Sequence, residues 1–351
     1  MTSLDPAPVS ATDVVLLVNL GTPEAPTPAA VRRYLAEFLS DPRVIDAPRW
    51  WWLPILYGVI LNVRPRRSAR AYARIWTERG SPLRVYSESL AEQLDLRVRA
   101  LSADRMRVVL AMRYGQPSIG ATVERLYASG LRRLLLLPLY PQYSGTSTGT
   151  AVDALAAAVQ RLHPAPEMRH IDNYHDDPGH ISALAENVEK FWKSRGRAPK
   201  LLLSFHGIPQ RYVRNGDPYF DQCCATAQHL RARLQMHEDD LLVAFQSRLG
   251  REPWLQPYTE QVLAALPGQG IEHIQVLCPG FAVDCLETLE EIALRDRDLF
   301  VASGGKRLDY IPALNDSPAH VDVLLALIRR NAAGWFAADA AAASAFDAPA
   351  A

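Results

Sequence analysis

The stretch Lys200-Leu201-Leu202-Leu203-Ser204-Phe205-His206-Gly207-Ile208-Pro209 decides the fold. An apolar run that stops at Gly and Pro is typical of a strand buried on both faces of a parallel sheet. In open parallel sheets, ligands bind outside the carboxyl ends of the strands. His206 therefore stands where such a fold does its chemistry, although a histidine that caps a strand and bonds to the backbone fits the same pattern.

The two halves of the chain match one another at three places that occur in the same order. The matched pairs are residues 16–23 with 202–209, residues 113–117 with 248–253, and the strands that follow Gly130 and Gly270. The first pair places Leu20 opposite His206. Ordered matches at strand ends predict an α/β fold of two similar Rossmann-like, doubly wound domains. Their parallel sheets would face a central cleft, which is a common place for a ligand.

The same matches predict the domain limits. We assign an N-terminal domain to residues 1–165 and a C-terminal domain to residues 166–319. A helix over 320–338 should pack back on the body, and an Ala-rich, frayed tail follows over 339–351. The first half contains a surplus at about 40–87, which we call the lip segment. It is an insertion at the mouth of the cleft.

The lip segment combines aromatic residues with a block of arginines. Trp50–Trp52 and Tyr57 come first, and the arginines follow at positions 64, 66, 67, 70 and 74. This composition suits a segment between Trp50 and Arg70 that lies on an anionic membrane. It also suits a lid whose apolar side faces a flat ligand and whose arginines meet acidic groups of that ligand. A helical hairpin packed on the body, with its arginines in water, is the third possibility.

Composition excludes several classes of function. Lys+Arg and Asp+Glu both number 38, and this zero net charge argues against nucleic acid as a partner. The four cysteines form no C-x-x-C pair, so we expect no structural zinc site, and a reduced compartment fits best. The apolar run Trp50–Leu61 is shorter than the about 20 residues of a transmembrane helix. The N-terminus lacks the pattern of a signal peptide, so we expect a cytoplasmic protein, with peripheral contact on the inner membrane face left open.

A second chemical element follows Phe281. Asp284, Glu287 and Glu291 have the spacing i, i+3 and i+7, which would place three carboxylates on one face of an α-helix. The same pattern is typical of a solvated acidic face, and acids in a first turn also suit the helix dipole. If His206 and Glu287 meet across the cleft, they form a pair able to bind a divalent cation or to move protons.

Six sequence blocks together resemble the ferrochelatase family. The blocks are residues 17–23, 140–144, 204–209, 216–219, 246–250 with 253–254, and 284–291. They run in family order from about residue 14 to 330, nearly the whole chain. The resemblance implies a lyase of haem biosynthesis that inserts Fe²⁺ into protoporphyrin IX to form protohaem, with release of two protons. It also implies a cleft between two Rossmann-like domains, with the lip segment at its mouth.

The resemblance further implies roles for single residues, and chemistry makes those roles reasonable. His206 and Glu287 would be the catalytic pair that handles the metal. A porphyrin loses two pyrrole protons as the metal enters, and an imidazole accepts protons near neutral pH. Glu287, with Asp284 and Glu291 behind it as a proton or metal relay, could hold Fe²⁺ while the ion sheds water. The candidates for porphyrin contact are Leu20, Arg74, Arg113, Tyr114, Tyr140, Trp254 and Phe281. Of these, Arg74 and Arg113 could pair with the propionates or fix the cleft.

Three departures from the family pattern carry expectations. Gly145 stands where some relatives have a cysteine that ligates an iron–sulfur cluster, so we expect no cluster and no permanently bound cofactor. Cys285 replaces a histidine found in some relatives, which leaves the local proton route open. Leu20 stands where relatives that act on coproporphyrin have a tyrosine, which favours protoporphyrin IX as the substrate.

Two other functions remain open. One is a ferrochelatase that acts on coproporphyrin, and the other is a carrier that binds a tetrapyrrole or haem without catalysis and needs no Glu287. A nucleotide-dependent enzyme on the same fold is disfavoured because the chain lacks a Gly-rich phosphate-binding fingerprint.

Overall fold

Two parallel β-sheets organise the computed structural model, which describes residues 12–248, 250 and 252–336. The expectations for a signal peptide and for the tail over 339–351 lie outside the described residues, as does the end of the helix expected over 320–338. The first sheet contains β1 Asp13–Asn19, β2 Met106–Met112, β3 Arg133–Pro138 and β4 Glu167–His170. The second contains β5 Lys200–His206, β6 Leu241–Gln246, β7 His273–Leu277 and β8 Arg307–Ile311.

The two sheets have the same topology. Their strand orders are β2-β1-β3-β4 and β6-β5-β7-β8, and all the paired strands are parallel. Each strand of the first sheet thus has a counterpart at the same place in the second. The three matched sequence pairs fall on counterparts: β1 with β5, the ends of β2 and β6, and β3 with β7. The prediction of two similar, doubly wound domains is confirmed.

Helices connect and cover the strands. In the first half they are α1 Pro28–Leu39, α2 Arg49–Ile55, a π-helix Leu56–Ile60, α3 Leu61–Ile75, α4 Pro82–Ser102, α5 Ile119–Ala128 and α6 Thr148–Val159. In the second half they are α7 Pro178–Arg195, α8 Gln210–Arg214, α9 Tyr219–Arg233, α10 Thr259–Ala265, a π-helix Glu287–Asp296, α11 Arg297–Ala302 and α12 Pro318–Asn331. We call Glu287–Asp296 the acidic π-helix. Among the described residues, no helix is both long enough and apolar enough to cross a membrane.

Local sequence explains where several helices begin. The pair Thr27-Pro28 predicts the start of a helix, and in α1 the Thr27 side chain accepts a hydrogen bond from the Ala30 backbone while the proline occupies the first turn. The side chains of Asp177 and Ser317 cap α7 and α12 in the same way, again with a proline in the first turn. These two helices follow β4 and β8, so the repeat between the halves includes the capped helix that comes after the last strand of each sheet.

The apolar strands are buried because helices cover both faces of each sheet. Every residue of β1 is buried, which is typical of a parallel strand. Leu16 packs with α5 and α6 on one face of the first sheet, and Leu202 packs with α10 and α11 on the corresponding face of the second. The opposite faces of the two sheets belong to one continuous core that also includes α4, α7, α9 and α12. The halves are therefore joined along one side of the sheets.

Two element boundaries differ from the sequence-based domain limits. β4 pairs with β3, so the first sheet continues past residue 165. α4 starts at Pro82 and packs on β2, so the last residues assigned to the lip segment belong to a helix of the sheet layer. Both boundaries were hard to predict because β4 is short and polar and because α4 continues directly from the lip segment.

Candidate active site

His206 and Leu20 occupy equivalent positions at the carboxyl ends of the two sheets. In each sheet the first strand in the chain, β1 or β5, lies between the second and the third. The strand order reverses there, so the topological switch point of each sheet lies beside that strand. Pairing of β5 with β7 stops at Leu203, so the end of β5 projects beyond its neighbour. His206 therefore lies at the edge where ligands bind in this class of sheet.

The His206 ring has one nitrogen committed and one available. Nδ1 lies 2.6 Å from the carbonyl oxygen of Gly207. Because a carbonyl oxygen can only accept, Nδ1 carries the proton in this bond, and Nε2 keeps its lone pair. The rings of Trp254 and Phe281 lie 6.5 and 6.4 Å from the imidazole, centroid to centroid. These contacts orient an imidazole that can accept a proton or bind a metal through Nε2.

Glu287 is tethered to the same sheet edge. In the register of β5 and β6, His206 lies opposite Gln246. The Gln246 side chain donates a hydrogen bond of 2.8 Å to the backbone carbonyl of Glu287. The first residue of the acidic π-helix is therefore fixed beside the strand end that carries His206.

Glu287 also faces the first half of the chain. It lines a small cavity together with Leu20, Tyr34 and Tyr72. Burial raises the pKa of Tyr34 and of Tyr72, and the nearby Glu287 carboxylate adds to both shifts. The cavity measures about 10 Å³, which is room for about one water molecule. A site between the halves therefore exists, but in this closed form it is too small for a macrocycle.

Glu291 is the second acid at this site. Its carboxylate accepts hydrogen bonds from the backbone N–H and the hydroxyl of Ser247, at 3.0 and 2.6 Å, and pairs with Arg295 at 2.8 Å. Burial raises the pKa of Glu291, and the Ser247 hydrogen bond, Arg295 and the nearby His206 oppose part of that rise. Glu291 thus lies within electrostatic reach of His206 as well as of Glu287.

The helix that carries these acids is a π-helix, which corrects the predicted α-helical spacing. A π-helix bonds i to i+5 and needs about 4.4 residues for each turn. Glu291 therefore follows Glu287 by almost a full turn, and Asp296 returns to the same side after about two turns. Burial and the neighbouring Glu291 carboxylate raise the pKa of Asp296 to about 7. Asp296 is an acid that the sequence pattern did not include.

Asp284 does not share the face of Glu287 and Glu291. It precedes the acidic π-helix and is buried. One carboxylate oxygen accepts from the Tyr310 hydroxyl at 2.5 Å and from the Thr288 hydroxyl at 3.0 Å, and the other accepts from the Asn315 amide at 2.8 Å. The carboxylate therefore joins the start of the acidic π-helix to the chain that follows β8.

Two of the arginine and tyrosine candidates are engaged inside the first half. Arg113 pairs with Asp41 and donates to the carbonyl oxygen of Thr150 at 2.9 Å. Tyr114 is almost fully buried, and its hydroxyl donates to Asp41 at 2.9 Å. These contacts fit the fixing of the cleft wall, which is one of the roles predicted for Arg113, and they leave neither side chain free for a ligand in this form.

The other candidates are placed as follows. Arg74 lies at the end of α3 and pairs with Glu290 of the acidic π-helix at 2.9 Å. The Tyr140 hydroxyl and the Trp254 indole N–H are buried and have no hydrogen-bond partner among the residues that the structure describes. Phe281 and Trp254 flank His206, and Leu20 lines the cavity beside Glu287. The structure thus brings His206, Glu287, Glu291, Leu20, Trp254 and Phe281 to one site.

Sequence reasoning missed three residues of the site. Tyr34 follows the apolar spacing of α1 and Tyr72 that of α3, so neither pattern separates a cavity-lining tyrosine from a core tyrosine. Ser247 follows β6 and has a left-handed φ of 66°, which aims both of its donors at Glu291. Its position directly after a strand was the available signal.

The site does not contain a closed metal cage. In the part of the chain that the structure describes, no three His, Cys, Asp or Glu side chains are grouped so that they could hold a metal ion. A cluster of that kind is what retains a structural metal.

Solved structures of other proteins share this fold. SirB from Bacillus subtilis, solved with Fe³⁺, aligns with a TM-score of 0.51 at 12% identity and covers 92% of this chain and 96% of its own. The sirohydrochlorin chelatase SirB from Bacillus subtilis subspecies spizizenii, solved with cobalt, gives 0.50 at 11% identity, with coverage of 92% and 95%. The fold is that of the two-domain metal chelatases.

Sequence relatives identify the family. The family model for ferrochelatase matches residues 12–332. A ferrochelatase from Teredinibacter turnerae is 52% identical over 92% of this chain and 88% of its own, and one from Idiomarina loihiensis is 50% identical over 93% and 89%. One from Bordetella pertussis is 50% identical over 92% and 88%. The chain belongs to the ferrochelatase family, and it is an enzyme of haem biosynthesis that inserts iron into a porphyrin.

Proposed function

We propose that this enzyme inserts Fe²⁺ into protoporphyrin IX, with His206 and Glu287 as the pair that handles protons and metal. The observation that carries the proposal is the tether from Gln246, which lies opposite His206 in the sheet and bonds to the backbone of Glu287 at 2.8 Å. One imidazole and one carboxylate are thereby held at the same edge of the second sheet. Imidazole nitrogen and carboxylate oxygen are both suitable ligands for Fe²⁺.

The proton chemistry follows from the same geometry. Insertion replaces two pyrrole N–H bonds with metal–nitrogen bonds, so two protons leave the porphyrin for each iron that enters. His206 Nε2 is the acceptor nearest to the end of β5, since Nδ1 is held by Gly207. Glu291, whose pKa is raised by burial, can receive a proton behind it. We propose that protons leave along Glu287, Glu291 and Asp296, with Asp284 excluded from this line by its own hydrogen bonds.

The choice of porphyrin rests on the wall opposite Glu287. Leu20 is apolar and lines the cavity, so it suits a vinyl edge of protoporphyrin better than an additional propionate of coproporphyrin. Arg64 is exposed on α3 and interacts electrostatically with Glu287, so a positive charge stands at the mouth for an acidic edge.

An anaerobic assay with Fe²⁺ and either protoporphyrin IX or coproporphyrin tests this function. We expect metalloporphyrin from both, with kcat/KM at least about tenfold higher for protoporphyrin IX, a difference of about 1.4 kcal/mol in transition-state binding. Faster insertion into coproporphyrin would establish the alternative substrate. Porphyrin binding without any metalloporphyrin would indicate a carrier.

We propose that the enzyme works without an iron–sulfur cluster or another resident cofactor. A cluster is usually held by four cysteine thiolates that converge on it. Cys223 and Cys224 are neighbours on α9, whereas Cys278 follows β7 and Cys285 precedes the acidic π-helix. Burial raises the pKa of Cys223, Cys278 and Cys285, which keeps these thiols protonated. Acid-labile sulfide in the protein used for the assay would contradict this part of the proposal.

We further propose that the lip segment touches an anionic membrane surface. Trp50 is 80% exposed and Val63 is 69% exposed, and between them Trp51, Tyr57 and Val59 are also exposed. Exposed arginines follow on α3 at positions 64, 66, 67 and 70. Large apolar side chains beside cationic ones are typical of a surface that inserts among headgroups and pairs with acidic lipids.

Vesicle flotation tests the membrane contact. The Trp50→Ser/Trp51→Ser variant should bind vesicles of phosphatidylcholine with phosphatidylglycerol at least about tenfold more weakly than the unaltered protein, because two exposed indoles are removed. Leu96→Ser is the matched control, since Leu96 is 66% exposed on α4, outside the lip segment. Equal binding by the tryptophan variant and the control would refute the proposed contact.

A further inference from the structure

The end of α3 is joined to the acidic π-helix by an ion pair that crosses between the two halves of the chain. Arg74 Nη1 lies 2.9 Å from Glu290 Oε1. The Arg74 side chain is half exposed, whereas the Glu290 carboxylate is mostly buried. An ion pair with both side chains exposed contributes little to stability. A mostly buried carboxylate, however, becomes costly when its partner is removed.

Glu290 has a second arginine within reach. Arg295 Nη1 lies 3.9 Å from Glu290 Oε2, while Arg295 Nη2 lies 2.8 Å from Glu291 Oε1. Arg295 Nε also lies 3.8 Å from Asp296 Oδ1, so the same guanidinium has three carboxylates within reach and is closest to Glu291. With Arg74 on the other oxygen of Glu290, most of the charge of Arg295 is available to Glu291. The Arg74–Glu290 ion pair therefore determines how the charge of Arg295 is divided between Glu290 and Glu291.

We propose that Arg74 is a positioning residue that couples the seating of α3 on the acidic π-helix to the charge around Glu291, through Glu290 and Arg295. The proposal rests on the proposed role of Glu291 as a proton acceptor. It assigns to Arg74 a role different from the porphyrin contact that the sequence predicted. When α3 is seated, Arg74 occupies Glu290 and Arg295 stays on Glu291, so the relay is ready only while α3 packs on the acidic π-helix.

Several charged groups surround Glu291, and Arg295 is the one that this network controls. His206 faces it from β5, Ser247 bonds to it from the end of β6, and Glu287 and Asp296 flank it on its own helix. Burial already raises the pKa of Glu291, and the positive charge of Arg295 opposes that rise. If Arg295 moves toward Glu290, this opposition weakens and the pKa of Glu291 rises further. Activity that needs the ionised acid would then fail at a higher pH.

Two variants that each replace one charged residue by glutamine separate this role from a structural one. Arg74→Gln leaves Glu290 charged and without its close partner, so Arg295 should move toward Glu290. We expect the acidic limb of the kcat profile, measured with Fe²⁺ and protoporphyrin IX, to move up by about 1 pH unit. Glu290→Gln breaks the same bridge but removes the carboxylate that competes for Arg295, so its acidic limb should stay in place or move to lower pH. The double variant should behave like Glu290→Gln.

The controls make each outcome decisive. Arg84→Gln removes an arginine from an exposed pair with Glu88 on α4 and should leave the profile unchanged. If Arg74 contacts the porphyrin instead, Arg74→Gln will raise KM for the porphyrin on the pH plateau while Glu290→Gln will not. Equal profiles for Arg74→Gln and Glu290→Gln would overturn the proposed coupling while the unaltered enzyme remains active. An inactive unaltered enzyme would overturn the proposed function itself, and the coupling with it.

Discussion

Replacement of His206 by alanine is expected to lower the rate of iron insertion by about 10²–10⁴-fold, the usual contribution of a positioned acid or base. The variant loses the only group at the end of β5 that can accept a pyrrole proton through a free ring nitrogen. It also loses one of two proposed protein ligands for the incoming metal. Continuous fluorescence of protoporphyrin IX under anaerobic Fe²⁺ measures the rate.

The fold should survive this substitution. His206 is only partly buried, and its one hydrogen bond is to the carbonyl of the next residue. His237→Ala is the matched control, because His237 is highly exposed and precedes β6, whereas the site lies at the carboxyl ends of the strands. Circular dichroism and porphyrin binding should be unchanged in both variants. Turnover of His206→Ala within about twofold of the control would rule out the catalytic role, since a general base contributes much more. Added imidazole that restores part of the rate would support it.

Replacement of Asp284 by alanine is expected to destabilise the protein by about 3–5 kcal/mol, a loss typical of a broken, buried hydrogen-bond network. The Tyr310 hydroxyl, the Thr288 hydroxyl and the Asn315 amide would all lose their acceptor. Each orphaned, buried donor costs about 1–3 kcal/mol. Urea unfolding followed by circular dichroism measures the change.

Stability and turnover measured together distinguish a structural role of Asp284 from a role in the proton relay. Asp239→Ala is the matched control, because Asp239 is 77% exposed, and it should change stability by less than about 0.5 kcal/mol. Asp284→Asn keeps the shape of the side chain but replaces one acceptor oxygen with a donor, so it should fall between the control and Asp284→Ala. If Asp284→Asn kept full stability and lost turnover, Asp284 would be the relay member that the sequence spacing predicted. Its structural role would then be wrong.

The sequence was sufficient for the parts of the fold that depend on short-range pattern. Apolar runs bounded by Gly and Pro identified β5 and its counterpart β1, and Thr27-Pro28 identified the start of α1. The ordered matches between the halves predicted that the two sheets would share a topology, which is confirmed. These features are predictable because buried strands and helix caps depend on residues close together in the chain.

The partners of single side chains were not predictable, because they depend on tertiary contacts. Arg74 meets Glu290 only after α3 has packed against the acidic π-helix, and Asp284 meets Tyr310 only after β8 has formed. Sequence reasoning therefore predicted a porphyrin contact for Arg74 and a place on an acidic helix face for Asp284. β4 was missed as a strand because Glu167–His170 lacks an apolar run. The equivalence of Leu20 and His206 was predictable, since it depends only on the repeat.

The extra residue in each turn of the acidic π-helix makes the number of residues in this segment as important as their identity. Shortening the segment by one position, for example at Ala293, would favour ordinary i to i+4 bonding, with about 3.6 residues for each turn. Every acid would remain in the sequence, yet Asp296 would then follow Glu287 by eight residues and lie about a quarter of a turn away from it around the helix axis. Relatives with a length change at this point would therefore need another exit for protons, even where all the carboxylates can still be aligned.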